Sequence, residues 1–358
     1  WYILLHTRYS ETRRVRRLLL IMPIAPYNQY SYDVIPRNKD LSYTINNSCN
    51  SPHRVGLIDW HGNCFVCACE AWLPVNVGHI SDFKSLSDIW TTAAARELQK
   101  DIDSKKFSHC AVDRCGIINN NVNFDTYELS INIDHSCNLT CPSCRKDHIM
   151  ISNGDEYNSR LNWVNHTLKL IEEFEEPLKV IMTGNGDPLA SHIMRPLIAN
   201  LQPKPNHKFR LFTNGLLIKK HLEKSPLLPN ISEVFVSIDA GSADVYQKVR
   251  FPGKWENLIA NLDELKLISD EHPMLVQLNF VLQNDNYHDL QNFVDLCEHY
   301  NFNGSIARLE DWGTWDNFAE HDITNNSDAI ELLANVYSSI KDNHHFNINP
   351  SLLKCISS

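Results

Sequence analysis

From about residue 124 onward, short apolar runs alternate with longer segments of helical periodicity. Apolar positions that recur every second residue, or fill a short unbroken run, predict strands at 126–134, 178–183, 208–213, 232–238, 274–282 and 304–309. Between them, apolar residues spaced three and four apart predict helices at 156–175, 189–201, 216–223, 255–270, 286–300 and 326–342. Six strand–helix units in succession imply parallel strands joined by right-handed crossovers. The expected fold is therefore α/β, a partial (β/α)6 TIM-like barrel. In such barrels the chemistry sits on the loops that follow the strands.

The pattern before residue 124 is different. Arg54 to Cys67 reads as two short strands around a His61-Gly62-Asn63 turn. Ser85 to Ile102 reads as one helix, with Ser85 or Ser87 as cap and Leu86, Ile89, Trp90, Leu98 and Ile102 as its apolar positions. Asn119-Asn120-Asn121 then reads as a linker. The expected organisation is an N-terminal segment 1–48, a small cysteine-rich hairpin/helix module 49–118, the barrel 124–315 and a C-terminal helical extension 316–358. Within the first segment, Arg13 to Ile24 has the order of charges and apolar residues of a signal peptide. Its apolar core is short and no small-residue cleavage site follows. The preferred reading is an unstructured start, or translation beginning at Met22.

Composition narrows the function. A hydrophobic share of 43% with 21% charged residues is that of an ordinary soluble globular protein. A net charge of −10 argues against non-specific nucleic-acid binding by the chain as a whole and leaves a local basic groove open. No other run approaches bilayer length, so no membrane partner is expected. Nine of the eleven cysteines fall between Cys49 and Cys144. In a chain of this size that clustering favours metal or cluster ligation in a reducing compartment over a disulfide scaffold, and places the protein in the cytoplasm.

Two patterns carry candidate chemistry. Cys137, Cys141 and Cys144 form a C-x3-C-x2-C loop directly after the first barrel strand. Three thiolates can hold three irons of a [4Fe–4S] cluster and leave the fourth open to a ligand. A zinc knuckle with a distant fourth ligand is the plainer alternative. After the second strand comes Thr183-Gly184-Asn185-Gly186-Asp187-Pro188-Leu189, where glycines allow close backbone approach to a ligand. Taken alone this is an ordinary strand-to-helix turn.

The Cys-Asn-Leu-Thr-Cys-Pro-Ser-Cys segment resembles the signature of the radical S-adenosylmethionine (radical SAM) enzymes. Ser143 departs from it, since many members carry an aromatic there. The resemblance implies that Cys137, Cys141 and Cys144 hold a catalytic [4Fe–4S] cluster. Its open iron would chelate S-adenosylmethionine, whose reductive cleavage gives a 5′-deoxyadenosyl radical. Asn185, Gly186, Asp187 and Pro188 resemble the family's Gly-Gly-Glu-Pro segment, implying contact with the methionyl amine. By the same resemblance Ser237 and Arg250 would meet the methionyl carboxylate, and Asp239 and Asn279 the ribose. Each of these pieces alone is equally a turn or a cap.

The upstream module resembles the auxiliary-cluster domain called SPASM, or its shorter twitch form. Cys49, Gly62 and Cys67 fit its opening spacing, and Gly78-His79-Ile80, Ser85 to Trp90 and Cys110-x4-Cys115 continue it. This implies one auxiliary [4Fe–4S] cluster on Cys49, Cys67, Cys110 and Cys115, with Cys64 and Cys69 spare. A four-cysteine zinc site is the alternative. The module precedes the barrel here, whereas in better-known members it follows.

The expected function is thus a radical SAM enzyme that abstracts a hydrogen atom from a substrate, with a peptide or protein as the first candidate. A nucleoside, sugar or other small molecule is the alternative within the class, and a non-catalytic zinc-binding interaction protein is the alternative outside it. A reductant such as flavodoxin or ferredoxin is the implied electron donor. Arg308 to Trp315 reads first as a plug over the barrel's open side, with lining of a substrate pocket as the alternative.

Overall fold

A computed structural model describes residues 47–69, 72–112, 115–183 and 186–357, and the backbone of Tyr2–Thr7 and Arg16–Met22. Those last two segments are strands β1 and β2, paired antiparallel. So the segment expected to be an unstructured start contains a strand pair; the rest of 1–46, including most of the flanks of the signal-like stretch, lies outside the described residues. So do Gly184 and Asn185.

Among the described residues the main sheet has ten strands in the order β12-β11-β10-β9-β8-β7-β6-β3-β4-β5. The barrel strands are β6 (Tyr127–Ile131), β7 (Leu178–Met182), β8 (His207–Thr213), β9 (Ile231–Ser237), β10 (Leu275–Leu282) and β11 (Asn303–Arg308). All neighbours in this set are parallel. The wall is an open, partial barrel. The segment 316–358 was expected to be purely helical, but it also adds a seventh parallel strand, β12 (Phe346–Ile348), beside β11. Three residues are too few for a period-2 pattern to register in the sequence.

The cysteine-rich module is not a separate body. Its strands β3 (Val55–Ile58), β4 (Asn63–Phe65) and β5 (Gly78–His79) continue the same sheet, with β3 parallel to β6. The predicted single helix at Ser85–Ile102 is two helices, Asp88–Thr91 and Ala93–Asp103. Thr92 between them is extended, and its side chain accepts from Ala95 N–H, capping the second helix. Trp90 anchors the pair by donating Nε1–H to the Val55 carbonyl at 3.0 Å.

Strand alternation divides the wall into two faces. Leu129 packs on Trp90 and Ile89 outside, as the space around Gly56 shows, so Glu128 and Ser130 point inward. Inward-facing Phe212 and Phe235 stack with ring centroids 4.7 Å apart. Outward residues such as Phe280 meet the helices, here Phe293 on Leu290–Tyr300 at 4.9 Å. At the mouth, Trp315 and Phe318 pack on Val281, Ala307 and Leu309. Among the described residues no helix is long and apolar enough to cross a membrane.

Candidate active site

The C-terminal end of β6 runs directly into the cysteine loop. Asp134, His135 and Ser136 are buried there and fix the loop before its first thiol. Asp134 accepts from Ser191 Oγ at 2.5 Å and lies 3.4 Å from Arg160 Nη1. Arg160 Nη1 also lies 3.1 Å from His135 Nδ1. Burial, and then the charge of Arg160, push the His135 imidazole down to about 4, so it is neutral at pH 7 and Nδ1 accepts from Arg160. The module joins this network: Trp60, from the β3–β4 turn, sits edge-on to His135 at 5.5 Å, with the Arg160 guanidinium over its ring at 5.2 Å.

Cys137, Cys141 and Cys144 come together with Leu139 and Leu216 around them. The loop is held by its backbone. Cys137 N–H donates to Ile149 O, and Cys144 and Arg145 N–H both donate to Cys141 O, each within 2.9–3.1 Å. Two side chains distant in sequence, one after a strand and one at the C-terminal end of the helix Ala243–Val249, donate to the sulfurs. Asn214, after β8, lies 3.8 Å from Cys137 Sγ, and Arg250 lies 3.7 Å from Cys141 Sγ. Burial pushes the Cys137 thiol up to about 12 and the Cys141 thiol up to about 11, the latter partly offset by Arg250. Buried thiols with such values ionise when a cation or cluster takes up the charge.

Asp187 is committed to the protein. Its Oδ1 accepts from Leu189 and Ala190 N–H, and its Oδ2 from Thr213 Oγ1 and Asn214 N–H, all within 2.6–3.1 Å. Its own N–H donates to Ser136 O at 2.9 Å. It thereby ties the turn after β7 to the cysteine loop and to the end of β8. Gly186 is the closest point: a Cβ there would fall 2.1 Å from Ser136 O. Pro188 is buried in the same turn.

Of the residues expected to contact cofactor on and after β9 and β10, Asp239, Arg250 and Asn279 have side-chain partners within the protein. Asp239, at φ +52°, sits 2.6 Å from Arg250 Nη2 and accepts from Val281 N–H at 2.7 Å. Asn279 accepts from Gln277 Nε2 at 2.7 Å, and its register partner is Ser237. The sequence reading set Arg250 and Asp239 on different parts of a ligand; here they form an ion pair. What remains open beside them is Arg250 Nε and the hydroxyl of Tyr246, both buried with no hydrogen-bond partner. These two atoms and the three sulfurs are a set that fits a ligand carrying a carboxylate on a cluster. Tyr246 was missed in the sequence, although it stands one helical turn before Arg250. Asn214 lies in Thr213-Asn214-Gly215, whose sequence is that of an ordinary turn. A cavity opens next to Ser143, bounded by Val249, Gln283 and Trp315.

The second thiol set also converges. Cys49, Cys67, Cys110 and Cys115 line one small cavity with Pro52, Trp72 and other apolar side chains. Burial, and then the neighbouring Cys67, push the Cys49 thiol up to about 12. Cys64 lies on β4, its Sγ turned to Gly62 O at 3.9 Å, and neither it nor Cys69 lines the cavity. Among the described residues no three His, Cys, Asp or Glu converge as a single metal ion requires. A three-thiolate set leaves one iron of a [4Fe–4S] cube open to a ligand and a four-thiolate set closes one; four thiolates are also a zinc donor set. The two sets lie toward opposite ends of the sheet. Cys49 precedes β3, Cys137 follows β6, and the two strands are parallel neighbours. The paired segment Val55–Ile58 alone separates the two levels by roughly 10 Å.

Comparison with known proteins finds matches in two parts of the chain. Residues 131–297 match the radical SAM superfamily, and residues 49–116 match an iron–sulfur cluster-binding domain, SPASM. Curated relatives include a probable GTP 3′,8-cyclase of Methanocaldococcus jannaschii, 28% identical over 170 residues, covering 47% of this chain and 54% of that protein. Another, of Saccharolobus islandicus, is 23% identical over 176 residues, covering 49% and 54%. The chain thus spans about half the length of the curated relatives it matches. Similar solved structures include Streptococcus suis SuiB bound to S-adenosylmethionine (TM-score 0.40, 16% identity, 71% of this chain and 51% of that one). A second is anSMEcpe with bound AdoMet and Cp18Cys peptide (TM-score 0.39, 16% identity, 62% of each chain).

Proposed function

We propose, proceeding from the chain's identity as a SPASM-type radical SAM enzyme, that Cys137, Cys141 and Cys144 hold the catalytic [4Fe–4S] cluster and that Cys49, Cys67, Cys110 and Cys115 hold one auxiliary cluster. The cofactors of this class, a three-cysteine [4Fe–4S] cluster and S-adenosylmethionine, supply one-electron cleavage of a sulfonium S–C bond and a carbon radical that takes a hydrogen atom from a substrate. The protein's part is binding and placement. Arg250 Nε and Tyr246 Oη receive the cofactor's carboxylate, and Asp239 keeps the guanidinium in position. Asp187 acts through the backbone: it holds the turn at Gly186, whose carbonyl accepts from the amine. Asn214 and Arg250 donate to the thiolates and favour their charged form. Ser237 and Asn279 face the ribose.

The observation that carries this reading is the pair of unpartnered buried donors, Arg250 Nε and Tyr246 Oη, beside Cys141. A peptide or protein is the first substrate class, and a nucleoside or other small molecule the second, the latter favoured by the names of the curated relatives. A flavodoxin or ferredoxin supplies the electron. The test is anaerobic incubation with S-adenosylmethionine and dithionite. Wild type is expected to form 5′-deoxyadenosine and Cys141→Ala none; undiminished product from the variant would refute the assignment. Iron analysis should give about eight per chain, four for each cube, and zinc without sulfide would support the non-catalytic alternative.

A further inference from the structure

Within the barrel, charged and neutral polar groups are segregated. Ser237, Asn279, Ser305 and Asn347 occupy one register level on the adjacent strands β9, β10, β11 and β12. Phe280 faces the outer helix, and a Cβ on Gly304 would meet Phe346 and Cys297, also on the outer side. Alternation therefore turns Asn279, Ser305 and Asn347 inward. None carries a charge. Ser305 is fully buried and its Oγ has no hydrogen-bond partner; the Nδ2 of Asn347 on the next strand is buried and lacks one too. Buried polar groups are seldom left unpaired without reason. Both of these can donate, so the missing partner is an oxygen acceptor.

The buried and half-buried cations of the inner face are matched, while Lys208, in register with Lys179, is exposed. Glu233 lies 2.8 Å from Lys179 and pairs with Arg210 Nε, Glu128 stands beside Lys179 in register, and Asp239 takes Arg250. A polyanion entering this space would face carboxylates as well as cations and find little unspent positive charge. We infer that the substrate presents a neutral oxygen, an amide carbonyl or a hydroxyl, to Ser305 and Asn347, and that the barrel does not select for a polyphosphate. This rests on the radical SAM reading above and narrows its substrate class.

The test uses protein loaded anaerobically with both clusters and S-adenosylmethionine. Titration calorimetry with GTP and with guanosine measures what the triphosphate adds. GTP is expected to bind no more tightly than guanosine, or neither to bind; a preference for GTP on the order of tenfold or more overturns the inference. Melting of Ser305→Ala and Asn347→Ala asks whether these groups already have partners in the fold. Melting at or above the wild-type temperature is expected, and a fall of more than about 2 °C in both overturns it. A pool of end-blocked peptides and a pool of neutral glycosides, added separately, distinguish the carbonyl from the hydroxyl source by which one raises 5′-deoxyadenosine formation; stimulation by GTP instead overturns it. Absence of 5′-deoxyadenosine from wild type under all conditions marks failure of the radical SAM reading itself, whereas cleavage with a GTP preference marks failure of this inference alone.

Discussion

Arg250 donates through Nη1 to the Sγ of Cys141 at 3.7 Å, although 109 residues separate the two in the chain. Its Nη2 is 2.6 Å from Asp239, so one planar fork spans a sulfur and a carboxylate while Nε stays unpaired. A lysine supplies the charge without the fork. Arg250→Lys should retain triad iron and lose about 100-fold in 5′-deoxyadenosine formation, the usual cost of a small misplacement at a reacting centre. Arg250→Leu should in addition destabilise by about 3–5 kcal/mol, since it leaves Asp239 buried without its counter-charge. Equal cleavage by Arg250→Lys and wild type would remove the fork from the mechanism.

Gly186 makes the site sensitive where no functional side chain is touched. Its Cβ position overlaps Ser136 O at 2.1 Å and the His135 carbonyl carbon at 2.6 Å, and backbone cannot swing aside as a side chain can. Gly186→Ala should displace the cysteine loop and lose about four of eight irons per chain, leaving the auxiliary four. Gly154→Ala is the control. It has open space around it and only a φ of +87° to strain, so it should cost about 1 kcal/mol and no iron.

Much of this arrangement was legible in the sequence because it is local. The triad spacing lies on one loop, and the strand periodicity of β6 to β11 is set by residues two apart. The pairing of Arg250 with Asp239 was not legible, because it depends on how the helix after β9 returns over the loop. The same holds for Tyr246, whose hydroxyl matters only through its position. The single helix drawn through Thr92 failed because a capping side chain competed with helical propensity. The module's union with the barrel sheet was invisible for a different reason: Val55–Ile58 is a short apolar run that would suit a free hairpin as well as a parallel partner for β6.

Cys64 and Cys67 are three positions apart and should behave oppositely. Cys67 lines the four-thiol cavity, and Cys64 points toward Gly62 O from β4. Cys67→Ser should therefore lose the auxiliary iron, about four atoms per chain, and keep cofactor cleavage at least in part. Cys64→Ser should keep all the iron, measured by colorimetric iron and sulfide assays. Loss of iron in both variants would mean that the ligand set extends beyond the cavity.

Glu233 offers a pH-dependent test of the charge ladder inside the barrel. Arg210 and Lys179 flank it, and despite opposing burial they hold its carboxyl down to about 2. A depressed folded-state value means that the stabilisation is fully present above the unfolded value near 4.5 and is lost as pH falls through 2. The shift corresponds to on the order of 3 kcal/mol at pH 7. Glu233→Gln should be less stable than wild type by at least that amount at neutral pH, because it also removes the counter-charge of the buried Arg210 guanidinium. Chemical unfolding followed downward in pH should show the linked part of the gap shrinking, to roughly half by pH 3. A gap that stays constant from pH 7 to pH 3 would mean that Glu233 is not held ionised by these neighbours. The barrel would then contain unmatched positive charge, and the case against a polyanionic substrate would weaken with it.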